Sequence, residues 1–289
     1  MKLDFDCVVV GAGIAGMTAA IYLKRSNLNV LILDNDAPGG LLNKISSIEN
    51  YPGFTNISGP DLASKIYEQV NNLGIEIRYG KVLDIKDYQV ITDIETITAK
   101  KVILAIGRKA RKLENTNNLK NVSYCALCDA NFYKDKIVAI VGYSNSAMEE
   151  ALYLSDICKK VIIIGRGKEF KGEDSLADKI RNKENIEVQL ECVIKTLDSN
   201  NGILNKIITN KGEFEVDGMF IAIGYEPNTE FLKDITKDKG YIIVDSKMKT
   251  NIDYIFACGD IIKKDVYQLT TAVGEATTAA INVKKEINS

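Results

Sequence analysis

Phe5-Asp6-Cys7-Val8-Val9-Val10-Gly11-Ala12-Gly13-Ile14-Ala15-Gly16 is the stretch that decides the fold. A short apolar run ends in glycines at positions 11, 13 and 16, an amphipathic helix is expected through about Arg25, and Val30 to Leu33 forms a second apolar run. That order is strand, turn, helix, strand. In a dinucleotide-binding turn the glycines have separate jobs: a tight turn, close backbone approach to a pyrophosphate, and close packing of helix on strand, with the helix N-terminus facing the phosphates. Asp34 closes the second run, where a carboxylate binds ribose hydroxyls. The glycine pattern alone is a weak signal, but with both strands and the acid in place it is specific.

The pattern begins again later in the chain. Ile137 to Val141 is an apolar run, Gly142-Tyr143-Ser144-Asn145-Ser146-Ala147 is a second turn of this type, Met148 to Ser155 reads as helix, and Val161 to Ile164 as the next strand. Ala105-Ile106-Gly107 is echoed by Ala222-Ile223-Gly224. Two modules with matching starts and ends predict an α/β protein of two Rossmann-like, three-layer nucleotide-binding domains. Between the first module's halves lies a long irregular segment, Asn35 to Gly59, followed by a helix with Leu62, Ile66 and Val70 on one face. Ile75 to Tyr79, Val82 to Ile85, Gln89 to Thr92 and Thr96 to Ala99 read as a small meander, and Lys101 to Ile106 as a buried strand. After Gly224 the chain has strand-like runs at Tyr241 to Val244 and Ile255 to Cys258 and a final helix from about Thr270, with no glycine turn of its own. That tail is expected to complete the first domain. The second domain, 112–241, is then an insertion between 1–111 and 242–289.

A chain of 289 residues, 46% hydrophobic and 26% charged, is long enough for two cores. Its net charge of -2 gives no basic field, so neither nucleic acid nor an anionic membrane is an expected partner. No stretch is long and apolar enough to span a bilayer, the N-terminal segment lacks a cleavage pattern, and a cytoplasmic setting follows as the expectation. Disulfides in that setting are mostly catalytic.

This bears on Tyr124-Cys125-Ala126-Leu127-Cys128-Asp129. Two thiols three apart near a βαβ pattern read as a dithiol/disulfide couple. A half zinc site and a pair of inert core cysteines compete with that reading. The chain has no His to complete a zinc site or to carry a proton, and Cys7, Cys158, Cys192 and Cys258 form no second close pair. The basic run Arg108-Lys109-Ala110-Arg111-Lys112 is either a solvated face or a contact for an acidic protein.

Taken together, the GAGIAG turn, GGLL with ENYPGF, the two AIG strands, CALCD, SAMEEALYLS, and FACGD followed by QLTTAVGEATTAA resemble the low-molecular-weight thioredoxin reductase family over essentially the whole chain. The resemblance implies FAD on the first domain, with Gly11, Gly13 and Gly16 at the pyrophosphate and Asp34 at the adenosine ribose. Gly40, Asn50, Gly107 and Gly259 fall in the same matching segments. It puts Asp260 at the ribityl chain and Gln268, Leu269 and Thr270 by the isoalloxazine. It also implies that Cys128 faces the flavin, that Cys125 attacks the disulfide of a thioredoxin, that Asp129 moves the proton, and that the protein is a homodimer. A helix starting at the motif would favour the Cys125 thiolate.

The second turn departs from the family. Ser144 stands where the middle glycine belongs, Tyr143 adds bulk, and Gly165-Arg166-Gly167-Lys168-Glu169-Phe170-Lys171 replaces the family's arginine-rich run for a 2′-phosphate. Tyr267 replaces the usual Arg before Gln268. These departures are similar to those of the clostridial ferredoxin-dependent flavin thioredoxin reductases, which makes reduced ferredoxin the expected donor. An NADPH-dependent reductase with a divergent site, an oxygen-using flavin dithiol oxidase and a non-enzymatic FAD-binding protein are the alternatives.

Overall fold

Both faces of the first strand are buried, and this organises the N-terminal part of the chain. In the computed structural model, which describes residues 3–289, β1 (Phe5–Val10) turns Cys7 and Val9 into one core and Val8 and Val10 into another. A continuous apolar run suits a parallel strand covered on both sides. α1 (Ile14–Lys24) leads to β2 (Val30–Asp34), which pairs parallel to β1 from Cys7 with Val30 to Val10 with Leu33. α2 (Gly59–Asn72) starts at Ser58, whose hydroxyl accepts from the Asp61 amide, with Pro60 in the first turn. It leads to β3 (Glu76–Tyr79), parallel to β2.

β3 was expected in the meander; it is the edge of the parallel sheet. The meander is β4 (Val82–Lys86), β5 (Gln89–Thr92) and the first part of β6 (Thr96–Leu104). The two expected strands at 96–99 and 101–106 are one, β6, whose early residues pair antiparallel to β5 and whose later residues run parallel to β1. Alternation gives way to Val102-Ile103-Leu104 where both faces become covered.

The chain crosses at β7 (Arg108–Ala110) into a second compact unit, residues 110–226. There β8 (Val122–Ser123) and a single turn, α3 (Ala126–Asp129), precede β9 (Ile137–Val141), α4 (Asn145–Ser155), β10 (Lys160–Ile164), α5 (Asp174–Arg181) and β11 (Ile186–Gln189). A meander, β12 (Ile194–Asn200), β13 (Ile203–Thr209) and β14 (Gly212–Glu215), ends in β15 (Gly218–Ile221). The parallel order is β11-β10-β9-β15-β8. Val138 and Ile140 face α4 and α5, while Ala139 and Val141 face the meander side with Leu204 and Ile207. Each unit is therefore a parallel sheet between helices and antiparallel strands, the three-layer Rossmann-like architecture.

The chain returns through β16 (Tyr225–Pro227), then β17 (Lys237–Asp238), β18 (Tyr241–Ile242), β19 (Ile255–Ala257) and α6 (Leu269–Asn288). The first unit takes the residues through Lys109 and Pro227–Ser289. The return lies earlier than the expected crossing near Tyr241. Leu232 and Ile235 are buried with Ile242 and Ile261 in the first unit's core, so 227–241 belong there. β19 adds to β6 on the side away from β1, with Phe256 opposite Ile103. α1 is buried along almost its whole length and is not the amphipathic helix its sequence suggests, because α2 and α6 pack against its outer side. No helix among the described residues is long and apolar enough to cross a membrane.

At Gly16 α1 packs tightly on the turn that follows β1: a Cβ there would lie 1.8 Å from the Gly11 carbonyl oxygen. Gly16→Ala is expected to cost about 2–3 kcal/mol of unfolding free energy by forcing the helix off the sheet. Chemical denaturation of the variant beside the wild-type protein measures it.

Candidate active site

In the first unit the glycine turn is held by its neighbours. Gly11 has φ +106°, and a Cβ on it would sit 2.5 Å from the Ala105 carbonyl oxygen, so only glycine fits this turn. Gly13 is the N-cap of α1, makes no side-chain cap and faces open space. The Pro38-Gly39-Gly40 loop folds over it: the Gly39 amide donates to the Ala12 carbonyl at 2.8 Å, and a Cβ on Gly40 would lie 3.3 Å from the Gly13 α-carbon. Asp34 accepts from the Ala12 amide at 2.5 Å and from the Asp36 amide at 3.0 Å. Burial pushes its carboxyl above the usual range, opposed by those amides.

The tail supplies the other wall. Gly259 approaches α1, a Cβ on it lying 2.9 Å from the Ala15 Cβ. Asp260 pairs with Arg108 at 2.6 Å and with Lys264 at 3.4 Å. Gln268 is the N-cap of α6 and forms a reciprocal capping box with Thr271, so Leu269 and Thr270 are its first helical turn. The Asn50 amide reaches the Gln268 side-chain oxygen at 3.4 Å, while Gly107, at φ +59°, borders open space. The expected flavin residues thus gather within one unit. Half of the basic linker is used internally, since Arg108 pairs with Asp260 and Lys109 with Glu230 at 2.6 Å; Arg111 and Lys112 are exposed.

Cys125 and Cys128 of the second unit are joined as a disulfide, Cα–Cα 5.4 Å apart. Cys125 is buried and is the N-cap of α3; Cys128 is exposed. The turn is only four residues long, shorter than the helix anticipated from the motif, yet it aims one amide well: the Cys128 N–H donates to Cys125 Sγ at 3.2 Å. Ser123, which no sequence motif marks, organises the rest. Its hydroxyl donates to Asp129 Oδ2 at 2.6 Å and accepts from the Cys125 amide at 3.0 Å. Its only signal in sequence is a hydroxyl at the end of β8, six residues before the acid; the α3 turn makes them neighbours.

The second glycine-type turn has been rebuilt. Gly142 repeats Gly11, with φ +153° and a would-be Cβ 2.3 Å from the Ala222 carbonyl oxygen. Tyr143 lays its side chain on the segment after β10: a Cβ on Gly167 would meet its ring at 2.6 Å and one on Gly165 its Cβ at 2.9 Å. The Lys171 amide donates to the Tyr143 carbonyl at 2.7 Å, and the Glu173 amide to Asn145 Oδ1 at 2.8 Å.

Comparison with known proteins shows the family. The pattern of the pyridine nucleotide-disulphide oxidoreductase family matches residues 5–276. The thioredoxin reductase of Bacillus subtilis (strain 168) is 35% identical over 296 aligned residues, which cover 97% of this chain and 94% of that one. This chain belongs to the thioredoxin reductase family. Among solved structures, the thioredoxin reductase of Lactococcus lactis matches with a TM-score of 0.94 at 36% identity over 99% of both chains. The ferredoxin-flavin thioredoxin reductase of Clostridium acetobutylicum matches at 0.55 and 32% identity over 98% of both.

Members of the thioredoxin reductase family are FAD-dependent flavoprotein disulfide oxidoreductases, and FAD is the cofactor here. The first unit fits it. Gly13 carries no side chain into the open space before α1, the first-turn amides have no side-chain cap, and the Asp34 carboxylate keeps acceptor capacity beyond its bonds from the Ala12, Asn35 and Asp36 amides.

The remaining thiols, Cys7, Cys158, Cys192 and Cys258, are buried. Burial pushes Cys158 up to about 11 and Cys7 and Cys258 higher still. A native thiol titration at neutral pH is therefore expected to find no fast-reacting thiol in the oxidised protein, two after reduction, and the full six only after denaturation.

Proposed function

We propose that this protein reduces the disulfide of a thioredoxin through Cys125 and Cys128, and that its electrons come from reduced ferredoxin in place of a pyridine nucleotide. The observation that carries the donor reading is Tyr143 packed over Gly165 and Gly167. In an open dinucleotide turn the backbone must come close to a pyrophosphate, and arginines after the following strand grip a 2′-phosphate in bidentate fashion. Here Ser144 carries a side chain at the approach position, and glycines replace two residues of the phosphate-binding run. The similarity to the Clostridium acetobutylicum enzyme supports the same donor. The second reading is NADPH, favoured by Arg166, Lys168 and Lys171, which remain beside the turn. The resemblance adds a homodimer as the working unit.

In this reading the first unit holds FAD, with Gly11, Gly13, Gly16, Gly40 and Asp34 on its dinucleotide end and Asn50, Gly107, Gly259, Asp260, Gln268, Leu269 and Thr270 toward the flavin. FAD supplies a store that takes single electrons and releases a pair. A pair of electrons breaks the Cys125–Cys128 bond. Cys125, facing the Cys128 amide, keeps the negative charge; its thiolate attacks one sulfur of the thioredoxin disulfide and expels the other, which takes a proton. Cys128 then attacks Cys125, re-forms the internal disulfide and releases the second thiolate, also protonated. Asp129, held by the Ser123 hydroxyl, is the local group able to pass those protons in a chain without His. The driving force is adequate: a plant-type ferredoxin near about -400 mV against a thioredoxin near about -270 mV leaves roughly 130 mV, or about 6 kcal/mol for two electrons.

Anaerobic mixing tests the donor. Reduced ferredoxin is expected to bleach the flavin and support thioredoxin reduction, whereas NADPH and NADH leave the yellow colour; prompt bleaching by NADPH with turnover defeats the ferredoxin reading. The thiol roles are tested separately. Cys128→Ser should accumulate a mixed disulfide with thioredoxin and Cys125→Ser should not, each losing turnover by about 1,000-fold or more, as expected when a nucleophile is removed. Trapping by Cys125→Ser alone would reverse the assignment.

A further inference from the structure

One cluster of charges in the first unit ties together four segments that the nucleotide-binding pattern does not explain. Arg108 leaves the Ala105-Ile106-Gly107 strand end and places Nη2 2.6 Å from Asp260 Oδ2. The same guanidinium lies over the Tyr267 ring, 4.5 Å from its centroid. Lys264 approaches that ring at 5.3 Å, pairs with Asp260 at 3.4 Å and bonds both carboxylate oxygens of Glu275 at 2.9 and 3.1 Å. Glu275, on α6, also accepts from the Gly259 amide at 3.0 Å, and Tyr241 lies 5.7 Å from Tyr267. Side-chain exposure of the four charged groups is 10–21%.

Two carboxylates in so small a space repel one another. Burial raises the Glu275 carboxyl, Lys264 opposes that, and Asp260 adds to it. Lys264 is shared between both acids, and the closer contact to Asp260 is the one from Arg108, at 2.6 Å against 3.4 Å. A guanidinium can form such a bond along its edge while its face rests on an aromatic ring, which an ammonium cannot do with the same geometry. Arg108 therefore fixes two things at once: the direction of the Asp260 carboxylate and the position of Tyr267, the residue just before the α6 N-cap.

We propose that Arg108 is a positioning residue for the flavin, setting the orientation of Asp260 and, through Tyr267, of the first turn of α6. The proposal rests on the assignment of Asp260 to the flavin made above, and it gives the basic linker a role inside the protein. Removing the guanidinium releases Asp260 toward Lys264 and frees Tyr267, so both the affinity for FAD and the electronic surroundings of the ring change.

The test uses purified holoprotein of Arg108→Met, Arg108→Lys, Tyr267→Leu and Asp260→Ala. FAD affinity is read by reconstitution of the apoprotein, together with the visible flavin spectrum and the flavin midpoint potential. Arg108→Met is expected to bind FAD about tenfold more weakly, the loss of one charge-assisted contact, with a shifted spectrum and potential. Arg108→Lys should recover part of the affinity but keep the spectral shift, and Tyr267→Leu should reproduce that shift. The proposal is overturned if Arg108→Met keeps wild-type affinity, spectrum and potential while Asp260→Ala loses FAD. It is equally overturned if Arg108→Met lowers only the melting temperature of the apoprotein, which is what a purely structural role does. Wild-type affinity in Asp260→Ala instead refutes the assignment of the flavin site on which the proposal stands. Should Arg108→Met fail to fold, Arg108→Lys decides: no change in any readout refutes the proposal.

Discussion

Each unit is built around one close approach, that of the turn glycine after β1 or β9 to the carbonyl of the alanine that follows β6 or β15 in the neighbouring Ala-Ile-Gly segment. Gly11 meets Ala105 and Gly142 meets Ala222, with room for no Cβ in either case. The contact lets the chain leave the sheet at its carboxyl edge and enter a helix whose N-terminus points along that edge. Cys7 to Val10 and Ile137 to Val141 can then be buried on both faces, since the helix returns across one side and the meander covers the other. Loss of the close approach would displace the helix and open the core, which is why this glycine is present in both units whatever they bind.

The other two positions of the motif separate folding from binding. In the first unit Gly13 faces open space and Gly16 sits under the helix, so one is free for a ligand and the other is required by packing. In the second unit the corresponding residues are Ser144 and Ala147. Ala147 is fully buried in the core beneath α4, a packing position filled by a slightly larger side chain. Ser144 occupies the position whose glycine serves a ligand and not the fold. The second unit has kept the glycine that the sheet needs and carries a side chain at the position where the first unit has none.

Much of this was legible because glycines and apolar runs report backbone geometry directly. The repeated turn, the repeated Ala-Ile-Gly and the thiol spacing pointed to two related units and a redox pair, and the disulfide is present. Local pattern failed where distant segments decide. α1 reads as amphipathic, but α2 and α6 bury its outer face; β3 alternates like a meander strand, but it lies parallel to β2. The segment 227–241 carries no periodic signal, and only its packing with Ile242 and Ile261 assigns it to the first unit. Ser123 and Arg108 act through partners six and 152 residues away, so no motif contains them with those partners.

Tyr143 shows why the altered site is a coherent structure and not a damaged one. Its side chain rests where Gly165 and Gly167 carry nothing, and either residue with a Cβ would come within 3 Å of it. The three positions are therefore mutually dependent: an arginine at 167 conflicts with the tyrosine, and a glycine at 143 would leave the loop after β10 without the ring that packs against it. Bonds from Lys171 to the Tyr143 carbonyl and from Glu173 to Asn145 hold the two segments together. The protein's own side chains and amides thus join the turn to the loop after β10 in the unit that carries the dithiol.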